Sequence, residues 1–169
     1  RGYMSPWLGI GFVLVSLASL LAGCSYISRK YSLSSELKRK IVHIGMGVIC
    51  TFFPLLFTES WPVLILGASA VFSLYIIRTL PILRQSIGSS LHDVDRSSLG
   101  EIFFPIAVAA VWYISLDKPL YFSLSILVLT FSDAFAALVG TQYGRQHYTT
   151  KEGYKTWEGS FFFFIVTFL

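Results

Sequence analysis

The chain alternates long uncharged blocks with short polar ones. Charge-free stretches run over 2–28, 41–58, 60–77 and 102–116, and another, 119–139, is interrupted only by Asp133. A last apolar stretch, 159–169, runs to the final residue. An apolar run of about 20 residues suits a helix crossing a bilayer, where backbone groups must hydrogen-bond within their own segment. The pattern predicts an all-α fold: a polytopic transmembrane helix bundle of five complete spans plus a truncated sixth, forming one integral-membrane domain over 1–169. The 102–116 block is short for a span, so its helix begins near Leu99 or sits where the bilayer thins. Pro54, Pro62, Pro105 and Pro119 are placed near span ends or in first turns, where proline is tolerated. The chain opens on Arg1 without a methionine and ends inside an apolar run, which reads as a piece truncated at both ends. Its first block is too long for the apolar part of a secretory signal.

Charge sharpens this picture through its position. Only 13% of residues are charged and 54% are hydrophobic, against about a quarter charged in soluble domains. Of 13 Lys and Arg, 11 fall in three polar segments. Segment 24–40 holds Arg29, Lys30, Lys38, Arg39 and Lys40; segment 78–101 holds Arg78, Arg84 and Arg96; segment 140–159 holds Arg145, Lys151 and Lys155. Five spans put these segments on one side, and the positive-inside rule makes that side cytoplasmic, with the N-terminus opposite. Trp7, Trp61, Trp112 and Tyr121 then mark the outer interface, and Tyr26 and Tyr75 the inner one. The net charge of +4 is modest, and the expected partner surface is the lipid bilayer, with no nucleic acid. Cys24 and Cys50 have neither a disulfide framework nor a zinc spacing and read as small apolar residues.

Asp133 carries the strongest chemical signal. It lies seven residues before Gly140, roughly 10 Å inside the helix end. A carboxylate at that depth is expensive and marks function; the alternative is a packing carboxylate paired with a basic neighbour. Ala136, Ala137, Gly140 and Gly144 extend the same helical face, a pattern that also serves close helix packing. The face runs into GTQYGRQHYTTKEGYKTWEGS, residues 140–160. There, glycine N–H groups and basic side chains suit a polyphosphate, although the P-loop pattern is absent and a solvated basic loop has the same composition. Glu158 is a candidate second metal ligand, since Mg²⁺ commonly takes one or two carboxylates plus substrate phosphates. His43 lies one turn inside the second block, sharing a face with Gly47. It is a candidate proton acceptor, or simply a packing residue. In segment 78–101, Asp93, Asp95 and Glu101 are possible metal ligands and Arg96 a phosphate partner. Phosphoryl transfer, which rests on positioning and charge neutralisation, suits these groups, but residue types alone leave the reaction open.

Four of these segments, ELKRKIVHIGMG (36–47), LPIL with DRSSLGEIFFP (80–105), SDAFAALVGTQYGR (132–145) and KTWEGS (155–160), follow one another in the chain. In that order they resemble the phytol kinase branch of the polyprenol (dolichol, phytol, farnesol) kinase family. The resemblance implies CTP-dependent phosphorylation of a long-chain isoprenoid alcohol with a divalent cation such as Mg²⁺. It implies catalytic roles for Asp133, His43 and Glu101, and metal ligation by Asp133 and Glu158. It further implies nucleotide contacts from Lys40, Arg96, Gly140, Gly144, Arg145, Lys155, Thr156, Gly159 and Ser160. The segments are also similar to those of CTP:phosphatidate cytidylyltransferases, and Lys155–Thr156 is nearer that form than the Lys–Ser of the kinases. A lipid cytidylyltransferase and a non-enzymatic transporter or scaffold are the alternative expectations.

Overall fold

The computed structural model describes residues 5–79, 100–115, 118–150 and 153–168. Ser5 opens α1 (Pro6–Tyr31), its hydroxyl accepting the Leu8 N–H at 3.4 Å. α1 ends at Ser32, which takes the left-handed conformation at φ 49° and sends its N–H to the Ser28 carbonyl. Only residues 32–34 separate it from α2 (Ser35–Thr51), capped by Ser34 in the same manner as α1. Most of the polar segment 24–40 is therefore helix rather than loop. Pro54 has no N–H to continue the ladder to Cys50, and the helix breaks at Phe52 before the short α3 (Phe53–Leu56).

α4 (Trp61–Thr79) and α5 (Gly100–Ile114) form a second helical pair. A Cβ at Gly67 of α4 would rest 3.6 Å from the Ala109 Cβ. Because α5 begins at Gly100, Pro105 lies inside the helix and beyond its first turn, deeper than its expected place. α6 (Pro119–Tyr143) is the longest helix after α1, and α7 (Trp157–Phe168) packs closely on it. Between them stands an antiparallel hairpin, β1 (His147–Thr150) with β2 (Gly153–Thr156), in the register His147↔Thr156 to Thr150↔Gly153. The hairpin is the one departure from an all-helical chain among the described residues.

Successive long helices reverse direction, so each end of the bundle gathers alternate termini. At one end an aromatic core forms. The Trp7 and Trp61 rings lie 5.1 Å apart, Phe122 stacks on Phe53 at 6.3 Å, and Trp112 meets the Phe122 ring edge-on at 5.1 Å. Gly9 of α1 lets Phe57 approach, since a Cβ there would lie 2.7 Å from the Phe57 ring. The other end carries the polar groups. Three helical segments, Pro6–Tyr31, Leu37–Leu56 and Pro119–Tyr143, are long and apolar enough to cross a membrane. Trp61–Ile76, Ile102–Ile114 and Trp157–Phe168 are shorter apolar helices. Large side chains such as Phe12, Phe72 and Phe103 face outward, as a lipid-facing surface requires and a soluble domain of this size rarely tolerates.

Candidate active site

Lys40, on the first turns of α2, turns inward. Only 10% of its side chain is exposed, and its Nζ donates to Asp133 Oδ2 of α6 at 2.7 Å. A lysine so enclosed needs a partner, and Asp133, 46% exposed, supplies it while keeping an open side. One turn along α2, His43 places Nε2 3.6 Å from the same carboxylate oxygen. That separation is too long for a hydrogen bond. Nε2 is buried with no hydrogen-bond partner among the described residues. The imidazole is held from its other side by Phe104 of α5, edge-on at 4.9 Å. Three of the four segments singled out in the sequence thus meet at one point: Lys40 and His43, Phe104, and Asp133.

The fourth segment arrives through α7. Gly140 and Gly159 let α6 and α7 touch: a Cβ on Gly159 would lie 2.8 Å from the Ala136 carbonyl and 3.3 Å from the Gly140 Cα. Thr156 is buried between them, accepting the Gly159 N–H at 3.2 Å, and its side chain occupies the space a Cβ on Gly140 or Gly144 would need. The small-residue face therefore packs against the end of the hairpin and the start of α7. Farther along this pair, inside the apolar region, Ser132 and Thr167 share a hydrogen bond of 3.1 Å.

Beyond Gly140 the chain forms an open groove of about 420 Å³ lined by Gln142, Tyr143, Gly144, Arg145 and Glu158. Arg145 is exposed in that groove, and Lys155 is exposed on β2. Glu158 Oε1 accepts the backbone N–H groups of Arg145 (3.0 Å) and Gln146 (3.2 Å). Its own backbone N–H and that of Arg145 hold its carboxyl below the usual carboxylate range, with Gln146 and the nearby His147 adding to the effect. Ser160 is also engaged, donating to the Thr156 carbonyl at 3.2 Å and sharing a 2.7 Å hydrogen bond with Tyr148.

The structure thus brings together Asp133, Lys40 and His43, and separately gathers Gly140, Gly144, Thr156 and Gly159. Lys40, read from the sequence as a phosphate contact, holds Asp133. Glu101 lies on the first turn of α5, three residues before Phe104, and its side chain lies outside the described residues, as do Arg96, Asp93 and Asp95. No cluster of three or more His, Cys, Asp and Glu suited to a metal occurs among the described residues. Asp133 fits the Mg²⁺ mode in which one carboxylate shares the ion with substrate phosphates and water, because its carboxylate keeps that open side. Sequence reasoning missed Phe104 and the hairpin. The hairpin had a signal, in the β-formers Tyr148, Thr149 and Thr150 and again Tyr154 and Thr156 around Gly153; Phe104 had none beyond lying close to Glu101.

A phytol kinase from Synechocystis sp. is 30% identical to the chain over 165 residues, 96% of this chain and 69% of that protein. No family model matches the chain, and no solved structure matches it. Because the similarity runs nearly end to end, it takes in all four segments that build the polar end of the bundle. With the shared sequence spanning the Lys40–Asp133–His43 cluster and the groove beside it, the chain belongs to the phytol kinase family.

Proposed function

We propose that this protein phosphorylates a long-chain isoprenoid alcohol of the phytol class, with CTP as phosphoryl donor, at the polar edge of a membrane. The observation that carries this reading is the His43 Nε2, a buried polar atom with no hydrogen-bond partner among the described residues, set beside the half-open Asp133 carboxylate. A hydroxyl seated against the open side of Asp133 meets the carboxylate directly, and a small movement of the His43 ring, whose Nε2 lies 3.6 Å from that carboxylate, would let the imidazole accept its proton. The alcohol oxygen then forms a bond to the terminal phosphorus, the bond from that phosphorus to the bridging oxygen breaks, CDP leaves, and the hydroxyl proton passes to His43.

A divalent cation would be held by Asp133 and the donor phosphates, and when bound it supplies neutralisation of phosphate charge. Lys40 orients Asp133 through the 2.7 Å contact between them. Arg145 lines the groove, where it would pair with phosphate oxygens, and exposed Lys155 on β2 would add a second basic group. Gln142, at the start of the groove, is nine residues beyond Asp133, roughly 13 Å along α6. In this reading a nucleotide lies along that path with its terminal phosphate toward Asp133. Thr156, whose methyl and hydroxyl are taken up by Gly140, Gly144 and Gly159, departs from the kinase Lys–Ser form at a packing position, so the departure does not weigh against the kinase reading.

The membrane reading completes the account: five spans and the start of a sixth, the three basic segments cytoplasmic and the N-terminus opposite. The nucleotide reaches the site from water, and the alcohol enters sideways between helices. The test supplies membranes carrying the full-length protein with Mg²⁺, CTP or ATP, and a panel of phytol, farnesol and dolichol. Alcohol monophosphate with CDP supports the proposal. A cytidylyl-lipid with pyrophosphate indicates the cytidylyltransferase, and no product from any lipid indicates a transporter or scaffold.

A further inference from the structure

The α2–α6 seam does not stop at the charged pair. One turn along α2 from His43 comes Gly47, and one turn back along α6 from Asp133 comes Thr130. A Cβ at Gly47 would lie 2.8 Å from the Thr130 Cβ and closer still to its hydroxyl and methyl. Thr130 is fully buried, with its hydroxyl unpartnered among the described residues. Its branched Cβ restricts side-chain rotation, so it has little freedom to swing aside. One turn farther along α2 and two turns back along α6, the Ser123 hydroxyl donates to the Thr51 carbonyl at 2.9 Å. Lys40–Asp133, Gly47–Thr130 and Thr51–Ser123 therefore form a ladder of contacts between two antiparallel helices. The middle rung is the one with no room for an added methyl.

We propose that Gly47 and Thr130 are positioning residues: their contact sets the spacing at which Lys40 and His43 meet Asp133. The inference rests on the kinase reading above, because it assigns a consequence for turnover to a packing contact. Gly47→Ala forces α2 and α6 apart by roughly 1 Å at the rung next to the site, and misplacement of that size costs up to about 100-fold in rate. The expected result is a kcat lowered roughly 10- to 100-fold with the KM for CTP within about twofold of wild type, because the groove lies beyond this rung. Moving the methyl back across the interface, in Gly47→Ala with Thr130→Gly, should restore kcat to near that of Thr130→Gly alone. Gly67→Ala serves as the control in another helix pair, where the added Cβ finds ordinary contacts at 3.6 Å, and should leave kcat unchanged.

A second arm reads the spacing itself. Spin labels at exposed Leu37 and Thr141, near the polar ends of α2 and α6, are placed in full-length protein with Cys24 and Cys50 replaced by alanine. Gly47→Ala should lengthen the distance between them, and the double variant should return it. Full kcat in Gly47→Ala, a double variant no better than the single, or an unchanged distance overturns the proposal. If Gly47→Ala fails to accumulate in membranes, the double variant decides: accumulation with turnover near that of Thr130→Gly supports the pin, and lost turnover overturns it. Wild-type membranes that make no alcohol phosphate sink the kinase reading separately, and the distance arm then decides the pin alone.

Discussion

Removing the charge of Asp133 should destabilise the protein more than removing the charge of Lys40, although the two make the same ion pair. The asymmetry comes from what each change leaves behind. Asp133→Asn strands the ammonium of Lys40, whose side chain is only 10% exposed. An uncompensated buried charge costs about 3–5 kcal/mol, and partial escape of the long lysine side chain toward the polar end favours the lower figure, about 3 kcal/mol. Lys40→Met instead leaves Asp133, whose side chain is 46% exposed on the polar side of the bundle rather than enclosed, so the loss should be about 1 kcal/mol. For a chain of this size, 1 kcal/mol moves the melting temperature by about 2–4 °C. The expected falls are therefore roughly 6–12 °C for Asp133→Asn and roughly 2–4 °C for Lys40→Met. A double variant, Lys40→Met with Asp133→Leu, replaces the pair by apolar groups and should melt close to wild type, while remaining inactive. The assay is thermal loss of the monodisperse peak of detergent-solubilised full-length protein. Equal losses from the two single variants, or a double variant that melts at the sum of their losses, would refute the reasoning.

Other consequences follow from the same geometry. His43→Gln keeps a polar side chain beside Asp133 but removes the proton acceptor, and should lower kcat roughly 10²- to 10⁴-fold with little change in the KM for CTP, as measured by steady-state kinetics. Glu158 is held below the ordinary value of 4.5 by N–H donors. Its contribution is therefore fully present above 4.5 and is lost as pH falls through the lower, folded value. Hydrogen exchange at the Arg145 and Gln146 amides should show protection at neutral pH that disappears in that acid window, and Glu158→Gln should flatten the pH dependence. Cysteines introduced at exposed Thr149 and exposed Trp7 should be labelled from opposite sides of the membrane, Thr149 from the cytoplasmic side; labelling of both from one side would contradict the orientation.

The helices were largely legible because charge-free blocks leave the backbone few alternatives in lipid. The small-residue face from Asp133 through Gly144 was also visible, but its use was not. Spacing places Ala136, Gly140 and Gly144 on one side of α6 without saying that Thr156 and Gly159 would fill that side. Lys40 shows the limit most clearly. Lys38, Arg39 and Lys40 are consecutive bases, and that Lys40 is the one that meets Asp133 depends on where α2 meets α6, a tertiary fact fixed by Gly47 against Thr130. The same holds for Glu158, whose bonds from the N–H groups of Arg145 and Gln146 arise only when the hairpin folds back and are invisible in the sequence. The hairpin itself was readable from its β-formers but was outweighed by the glycines and charges that suggest a loop.

The central claim is that the terminal phosphoryl group, and nothing else of the nucleotide, passes to the alcohol. Membranes carrying the full-length protein, phytol and Mg²⁺ should be given CTP labelled in its γ-phosphate in one reaction and in its α-phosphate in another. Labelled phytyl monophosphate should form from the γ-labelled donor alone, with the α-label recovered in CDP, and that product should be lost in Asp133→Asn. Lipid carrying the α-label, or γ-label transferred undiminished by the Asp133→Asn protein, would contradict it.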